Sequence, residues 1–241
     1  MAIFKYPDYN SLSEAAGEHI VERLKSYETC LIGLSTGFSP KLTYFHIAKQ
    51  LARIHSLVPK VIGFQLDEWF GLSGNNPGSC RHYIAMNVIK PWMLNSNQCF
   101  CIDGQHLDHE IQISEMKKCL NHRPMDICIL GLGKNGHLAL NEPGSKLNDP
   151  CRIVDLDIPS KTHKMLQNTD QNVLQGITVG IKEILESKEL VLLVTGPEKK
   201  KAFNKLIDKA PIENFPASAI YQHNNWKCFV DKSSVNNLNM L

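Results

Sequence analysis

Ile127-Cys128-Ile129-Leu130, within the run Met125 to Leu130, is apolar without polar alternation and is closed by Gly131, Gly133 and Gly136. A run of that length suits a strand covered on both faces, and such strands belong to parallel sheets flanked by helices. The same alternation recurs along the chain. Strands are predicted at Cys30 to Leu34, Val61 to Leu66, near Cys99 to Ile102, at Met125 to Leu130 and at Leu190 to Val194. Between them, helical spacing predicts helices over Ser11 to Ser26 (with Ser11 and Glu14 as a capping box), Pro40 to Ile54, Ser79 to Ile89, Leu107 to Asn121, Val179 to Glu186 and Pro197 to Asp208. A last strand pair is expected near Ala217 to Tyr221 and Trp226 to Val230. The expected fold is α/β, three-layer α/β/α, with a Rossmann-like, mostly parallel sheet.

With 241 residues, 43% of them hydrophobic, the chain is large enough for a substantial core, and no repeat or Pro/Gly/Ser linker divides it. A single domain over residues 1–241 is expected, with the tail 232–241 loosely held. A formal charge of +2 gives no field able to hold a nucleic-acid backbone, and the one conspicuous basic run is Lys199 to Lys201. The eight cysteines form no C-x-x-C pair and several fall in apolar runs, which suits reduced, buried thiols of a cytoplasmic protein. The start MAIFKYPDYN lacks a signal-peptide core, and no apolar stretch is long enough to span a bilayer.

In a parallel sheet the loops leaving the strands' carboxyl ends open on one edge, so chemistry is sought there. Four loops carry suggestive residues. Ser35 to Ser39 joins small hydroxyl residues and Gly37 to a helix amino terminus, which offers unpaired N–H groups to an anion, although an ordinary capped helix start has the same sequence. Leu66-Asp67-Glu68-Trp69 sets two carboxylates beside an aromatic ring, where partial burial raises a carboxyl pKa toward that of a general base. Alternatively, Asp67 caps a turn and Glu68 faces solvent. The third loop delivers His137 and Glu142 together; a structural turn with a surface histidine is the plainer reading. In the fourth, Thr195-Gly196 precedes Lys199, an ammonium that pairs with a helix-end anion or simply joins a solvated basic face.

No metal site is expected, because the ten histidines include no H-x-x-x-H or H-x-x-E-H arrangement and the cysteines offer no paired ligands. No cofactor is expected either. Gly131-Leu132-Gly133-Lys134-Asn135-Gly136 matches a dinucleotide fingerprint only in spacing, and Pro143 comes too soon after His137 for a dinucleotide-binding helix.

Taken in order, Ser35-Thr36-Gly37-Phe38-Ser39-Pro40, Leu66-Asp67-Glu68-Trp69, Gly131 to His137, Asn141-Glu142-Pro143-Gly144 and Thr195-Gly196-Pro197-Glu198-Lys199 resemble the motifs of the amino-sugar-6-phosphate deaminase/isomerase family. The match covers nearly the whole chain. The resemblance implies a cofactor-free enzyme that converts a 2-amino-2-deoxyhexose 6-phosphate to a ketose 6-phosphate and ammonia, acting as a monomer or small homo-oligomer. It implies that Thr36, Gly37, Phe38, Ser39 and Lys199 clamp the phosphate. Asp67 then moves a proton between C2 and C1, His137 opens the pyranose ring and Glu142 steers the imidazole. Arg152 aligns with a family basic residue and receives no catalytic role.

Residue 135 departs from the glucosamine branch of the family, which usually has aspartate there. Asn135 can orient an imidazole but brings no charge to it, and Lys134-Asn135-Gly136-His137 with Asn141 to Gly144 resembles the galactosamine-6-phosphate branch, whose product is tagatose 6-phosphate. Glucosamine 6-phosphate is the alternative substrate. More distant alternatives are a 6-phosphogluconolactonase, against which Trp69 and Asn141 to Gly144 count, and a non-catalytic sugar-phosphate sensor.

Overall fold

The computed structural model describes residues 2–169 and 172–235. In chain order the regular elements are β1 (Ala2–Tyr6), α1 (Tyr9–Lys25), β2 (Cys30–Leu34), α2 (Phe38–Leu51), β3 (Val61–Gln65), β4 (Asp67–Trp69), α3 (Cys80–Ile84), β5 (Cys99–Phe100) and α4 (His109–His122). They continue with β6 (Ile127–Gly131), β7 (Arg152–Asp155), α5 (Ile158–Lys161), β8 (Gln175–Thr178), α6 (Ile181–Leu185), β9 (Leu190–Val194), α7 (Lys200–Ile207) and β10 (Trp226–Asp231). Seven strands form one sheet in the order β1-β10-β9-β6-β2-β3-β5, every neighbouring pair parallel.

The apolar runs fold this way because successive side chains fall on opposite faces and both faces are covered. On one face Leu31, Cys128, Leu130, Leu192 and Val194 pack with Ile113, Met116 and Leu120 of α4, Ile181 and Ile184 of α6, and Phe203 and Leu206 of α7. On the other, Cys30, Ile32, Leu34, Ile127, Ile129, Val191 and Leu193 pack with Leu12, Ile20 and Leu24 of α1 and Tyr44, Ile47 and Leu51 of α2. This is the expected three-layer arrangement. Each such side chain contributes about 1.5–3 kcal/mol of burial, so the continuous apolar strands carry the core. All eight cysteines are free thiols.

The strand order also marks where open α/β sheets bind their ligands. From β2 the chain builds outward through β3 to β5, then returns across β2 to start β6 on its other side. The loops after β2 and β6 therefore leave neighbouring strands at a topological switch point on the carboxyl edge.

Several local expectations are corrected. Helix α1 is capped by Asp8, whose carboxylate accepts from Ser11 N at 2.8 Å, so Ser11 lies inside the helix. Helix α2 begins at Phe38 with Gly37 as its cap, two residues before Pro40. The predicted strand Ala217 to Tyr221 is a 3₁₀ helix, Pro216–Gln222: Pro216 has no N–H to give a ladder, and Ala217 N donates instead to Gly136 O at 2.7 Å. The predicted helix Ser79 to Ile89 starts as α3 and widens to a π turn over Ala85–Ile89. Strand β1 and a small antiparallel sheet, order β4-β8-β7, were not predicted. Of the tail, Lys232–Ser234 form a 3₁₀ turn with Ser234 buried against Asp231, while residues 236–241 lie outside the described residues.

Candidate active site

Gly37 ends the β2 loop with φ +99°, a conformation that L side chains rarely adopt, and so turns the chain into α2. The loop's carbonyls are held from outside: Tyr44 Oη donates to Ser35 O at 2.8 Å, Tyr83 Oη to Gly37 O at 2.7 Å and Tyr9 Oη to Phe38 O at 2.6 Å. The first-turn amides of α2 have no intrahelical acceptor, as in any helix, and carry the positive end of its dipole. Phe38 stacks on Tyr9 and is 63% exposed, so what it brings to this loop is its backbone N–H. The Thr36 hydroxyl lies 3.4 Å from Cys80 Sγ. Ser39 is buried, and a Cβ on Gly131 would lie 4.0 Å from its side chain, so the end of β6 lies next to the first turn of α2. From the loop after β9, Lys199 reaches the β6 loop, donating its ammonium to Leu132 O at 2.6 Å. Burial lowers the Lys199 pKa, and Lys134 nearby adds to this.

Asp67 opens β4 and pairs across the small sheet with Thr178. It is only 6% exposed, and its Oδ1 is buried with no hydrogen-bond partner. Burial, reinforced by the charge of Glu68, raises its pKa to about 7. Glu68 does the opposite of facing solvent. Fully buried, it accepts from Gln65 Nε2 (3.2 Å), Trp69 N (2.9 Å), Ser79 Oγ (2.8 Å), Cys80 N (2.9 Å) and Arg81 N (2.7 Å). Glu68 is thus the carboxylate that ties the α3 start to β4. Asp67 by contrast leaves its Oδ1 without a donor and takes a side-chain hydrogen bond from Cys80, which pulls its pKa down against the burial.

Gly133 places His137. A Cβ there would come within 2.4 Å of the imidazole, so the ring lies close over that glycine. His137 Nδ1 is 3.5 Å from Glu142 Oε2 and 3.4 Å from Ser160 Oγ. Burial would raise the Glu142 pKa, but His137 beside it and hydrogen bonds from Ser160 and Asn135 hold it below its ordinary value. Glu142 is therefore an anion at Nδ1, which leaves Nε2 as the nitrogen for proton transfer. Asn135 Oδ1 accepts from His137 N at 3.2 Å, and its Nδ2 donates to Glu142 Oε2 at 2.8 Å and to Asp157 Oδ2 at 2.9 Å. The strand-end segment is tied to Asp67's sheet by Leu140 N, which donates to Thr178 Oγ1 at 3.1 Å. Arg152 braces the Glu142 loop through Asn141 Oδ1 (2.8 Å) and Ser145 Oγ (2.9 Å), a structural role.

Three residues here were missed by sequence reasoning: Asp157, Ser160 and His163, all from the segment after β7. His163 Nδ1 accepts from Met165 N at 3.3 Å, and a Cβ on Gly37 would lie 3.9 Å from its Nε2. Burial, with the charges of His137, Lys199, Lys134 and Lys164, pushes its pKa down to about 4. It is a neutral ring presenting Nε2–H toward the β2 loop. The one local signal was Asp157 two residues before Pro159, a helix-start pattern that the structure realises with Asp157 capping α5. Among the described residues no cluster of three His, Cys, Asp or Glu side chains suits a metal ion, and no helix is long and apolar enough to cross a membrane.

Known proteins are similar to this chain in sequence and fold. A family model described as glucosamine-6-phosphate isomerases/6-phosphogluconolactonase matches residues 7–229. A protein of Escherichia coli (strain K12) named as a candidate deaminase, AgaI, is 33% identical over 93% of this chain and 89% of its own. Glucosamine-6-phosphate deaminase of Oceanobacillus iheyensis is 30% identical over 99% of this chain and 96% of its own. The solved structure of a monomeric glucosamine-6-phosphate deaminase of the NagB superfamily superposes with a TM-score of 0.91 at 27% identity, covering 97% of this chain and 98% of that one. The 6-phosphogluconolactonase of Trypanosoma brucei, at 18% identity and a TM-score of 0.78 over 98% of both chains, shares the fold. With a family model spanning all four of the strand-end loops and relatives aligned almost end to end, the chain belongs to the family of glucosamine-6-phosphate isomerase and 6-phosphogluconolactonase enzymes.

Proposed function

We propose that this protein is an amino-sugar-6-phosphate deaminase/isomerase, acting on galactosamine 6-phosphate in preference to glucosamine 6-phosphate and releasing a ketose 6-phosphate and ammonia. The observation that carries this reading is Asp67, a buried carboxylate with an unpartnered oxygen and a pKa of about 7, that of a working base. A lactonase needs no proton abstraction from carbon, and a sensor needs neither this base nor the His137–Glu142 pair.

The groups present supply each step. The 6-phosphate sits at the α2 amino terminus with Thr36, Gly37, Phe38 and Ser39 and the ammonium of Lys199. His137, held through Nδ1 by Glu142 and Ser160, uses Nε2 to pass a proton from the anomeric hydroxyl to the ring oxygen, which opens the pyranose to its aldehyde. Asp67 takes the C2 proton and returns one to C1, turning the 2-amino aldehyde through an enolamine into a 2-imine. Water adds at C2 and ammonia leaves, so the balance is hexosamine 6-phosphate plus water giving ketose 6-phosphate plus ammonia. The galacto preference rests on Lys134-Asn135-Gly136-His137 and Asn141 to Gly144.

The test is kcat/KM for galactosamine and glucosamine 6-phosphates side by side, with the ketose products identified. A higher value for the galacto epimer, with tagatose 6-phosphate formed, is expected. Turnover of glucosamine 6-phosphate alone would reassign the substrate, and lactone hydrolysis without ammonia would remove the deaminase reading.

A further inference from the structure

Asn135 uses every polar atom of its side chain inside the site. Oδ1 accepts from the His137 backbone, and the two hydrogens of Nδ2 go to two different carboxylates, Glu142 Oε2 and Asp157 Oδ2. Asp157 returns the contact, since its own N–H donor lies 3.4 Å from Glu142 Oε1. Its second oxygen, Oδ1, accepts from Ile158 N at 2.8 Å and so anchors α5, the helix that brings Ser160 to His137 Nδ1. Residue 135 therefore sits between two carboxylates and must be a neutral double donor: a carboxylate there would make three acceptors meeting with no proton between them.

We infer that Asp157 is a positioning residue for the deamination, matched to Asn135, and that together they fix Glu142 and Ser160 against His137. The inference rests on the proposed function for its kinetic readout. The negative charge that Asn135 does not supply is carried by Asp157, from a different element, 22 residues further along. Glu142 faces the imidazole at Nδ1, Asp157 is linked to it through Asn135, and His163 feels the charges of His137, Lys199, Lys134 and Lys164.

The test is a two-by-two cycle of Asp157→Asn and Asn135→Asp. Asparagine also caps helices well, so Asp157→Asn retains the α5 cap and isolates the charge. In the wild-type background Asp157→Asn is expected to lower kcat about tenfold with KM within about twofold, the loss of one charge-assisted hydrogen bond acting through the imidazole. In the Asn135→Asp background the same change relieves the meeting of three carboxylates, so its effect should reverse sign and raise kcat, by at least about fivefold. Equal losses in both backgrounds, or an unchanged kcat for Asp157→Asn alone, would overturn the inference. The imidazole ¹⁵N shifts of His137 in the substrate-free protein give an arm independent of turnover. They should move in Asp157→Asn and move back in the double variant; no movement counts against the pairing. Wild-type protein that released no ammonia would sink the proposed function, leaving this spectroscopic arm to decide the pairing by itself.

Discussion

Asp67→Asn is expected to lower kcat by roughly 10²- to 10⁴-fold, the range set by removing a positioned general base, while the dissociation constant for the sugar phosphate stays within about twofold. Binding should be spared because the proposed phosphate anchors, the α2 amino terminus and Lys199, lie on loops other than that of Asp67. As the proposed base, Asp67 should also set the acid limb of the pH profile. With its pKa near 7, kcat/KM should climb as the pH rises toward neutrality. The same burial predicts a cost in stability. Because the folded-state pKa is raised above the unfolded value near 4, the folded protein holds this proton over an interval in which the unfolded chain has lost it. Stability from this group is full below about pH 4 and is lost as the pH rises to about 7. Asparagine never ionises, so the variant should be more stable than wild type at pH 8, by an amount on the order of a few kcal/mol at about 1.4 kcal/mol per pKa unit, and equally stable at about pH 3.5. Calorimetry at the two pH values checks this. A variant less stable at the higher pH, or with binding lost alongside turnover, would make Asp67 a structural residue.

Gly133→Ala should be nearly as damaging to catalysis through a different cause. The added methyl would lie 2.4 Å from His137 Cδ2 and 2.5 Å from Cγ, well inside contact distance. The colliding atoms belong to a side chain, so the imidazole swings away and the backbone turn survives. What is lost is the alignment of Nδ1 with Glu142 and Ser160. Activity should fall about 10²-fold or more, approaching deletion of the imidazole itself, with the melting temperature changed by only a few degrees. Full activity would show that the imidazole works from a position other than the one over Gly133.

The strands that proved easiest to read were those buried on both faces. Cys30-Leu31-Ile32-Gly33-Leu34 and Leu190-Val191-Leu192-Leu193-Val194 have no solvent face to dilute their pattern. Strand β1 was illegible because it is a sheet edge: Ala2–Tyr6 are part-exposed, and its pairing with β10 joins segments from opposite ends of the sequence. The small antiparallel sheet was missed for a related reason, since β4 has three residues and finds its partner β8 more than a hundred residues later. Ala217 to Tyr221 misled in the other direction, an apolar run whose buried side chains serve a 3₁₀ helix that packs on the His137 loop.

Within the site, legibility followed position. Asp67, His137 and Glu142 stand shortly after apolar strands, where an α/β sheet opens. Asp157, Ser160 and His163 lie in a segment whose one signal is a helix start; hydrogen bonds spanning 22 and 23 residues bring the first two to Asn135 and His137. The Asp67-Glu68 pair shows the limit from the other side. Two adjacent carboxylates look alike in sequence, yet five donors converge on Glu68 and none on Oδ1 of Asp67. That difference, set by Gln65, Trp69 and the placement of Ser79 to Arg81, separates a structural carboxylate from the one proposed as the base.

Deamination of an amino-sugar phosphate at this site is tested most directly by the stoichiometry of products released by the purified protein from galactosamine 6-phosphate, with glucosamine 6-phosphate in parallel. Ammonia and ketose 6-phosphate are expected in equal amounts, with formation of both suppressed in Asp67→Asn. Tight binding of a sugar phosphate with no ammonia released from either epimer would contradict the claim.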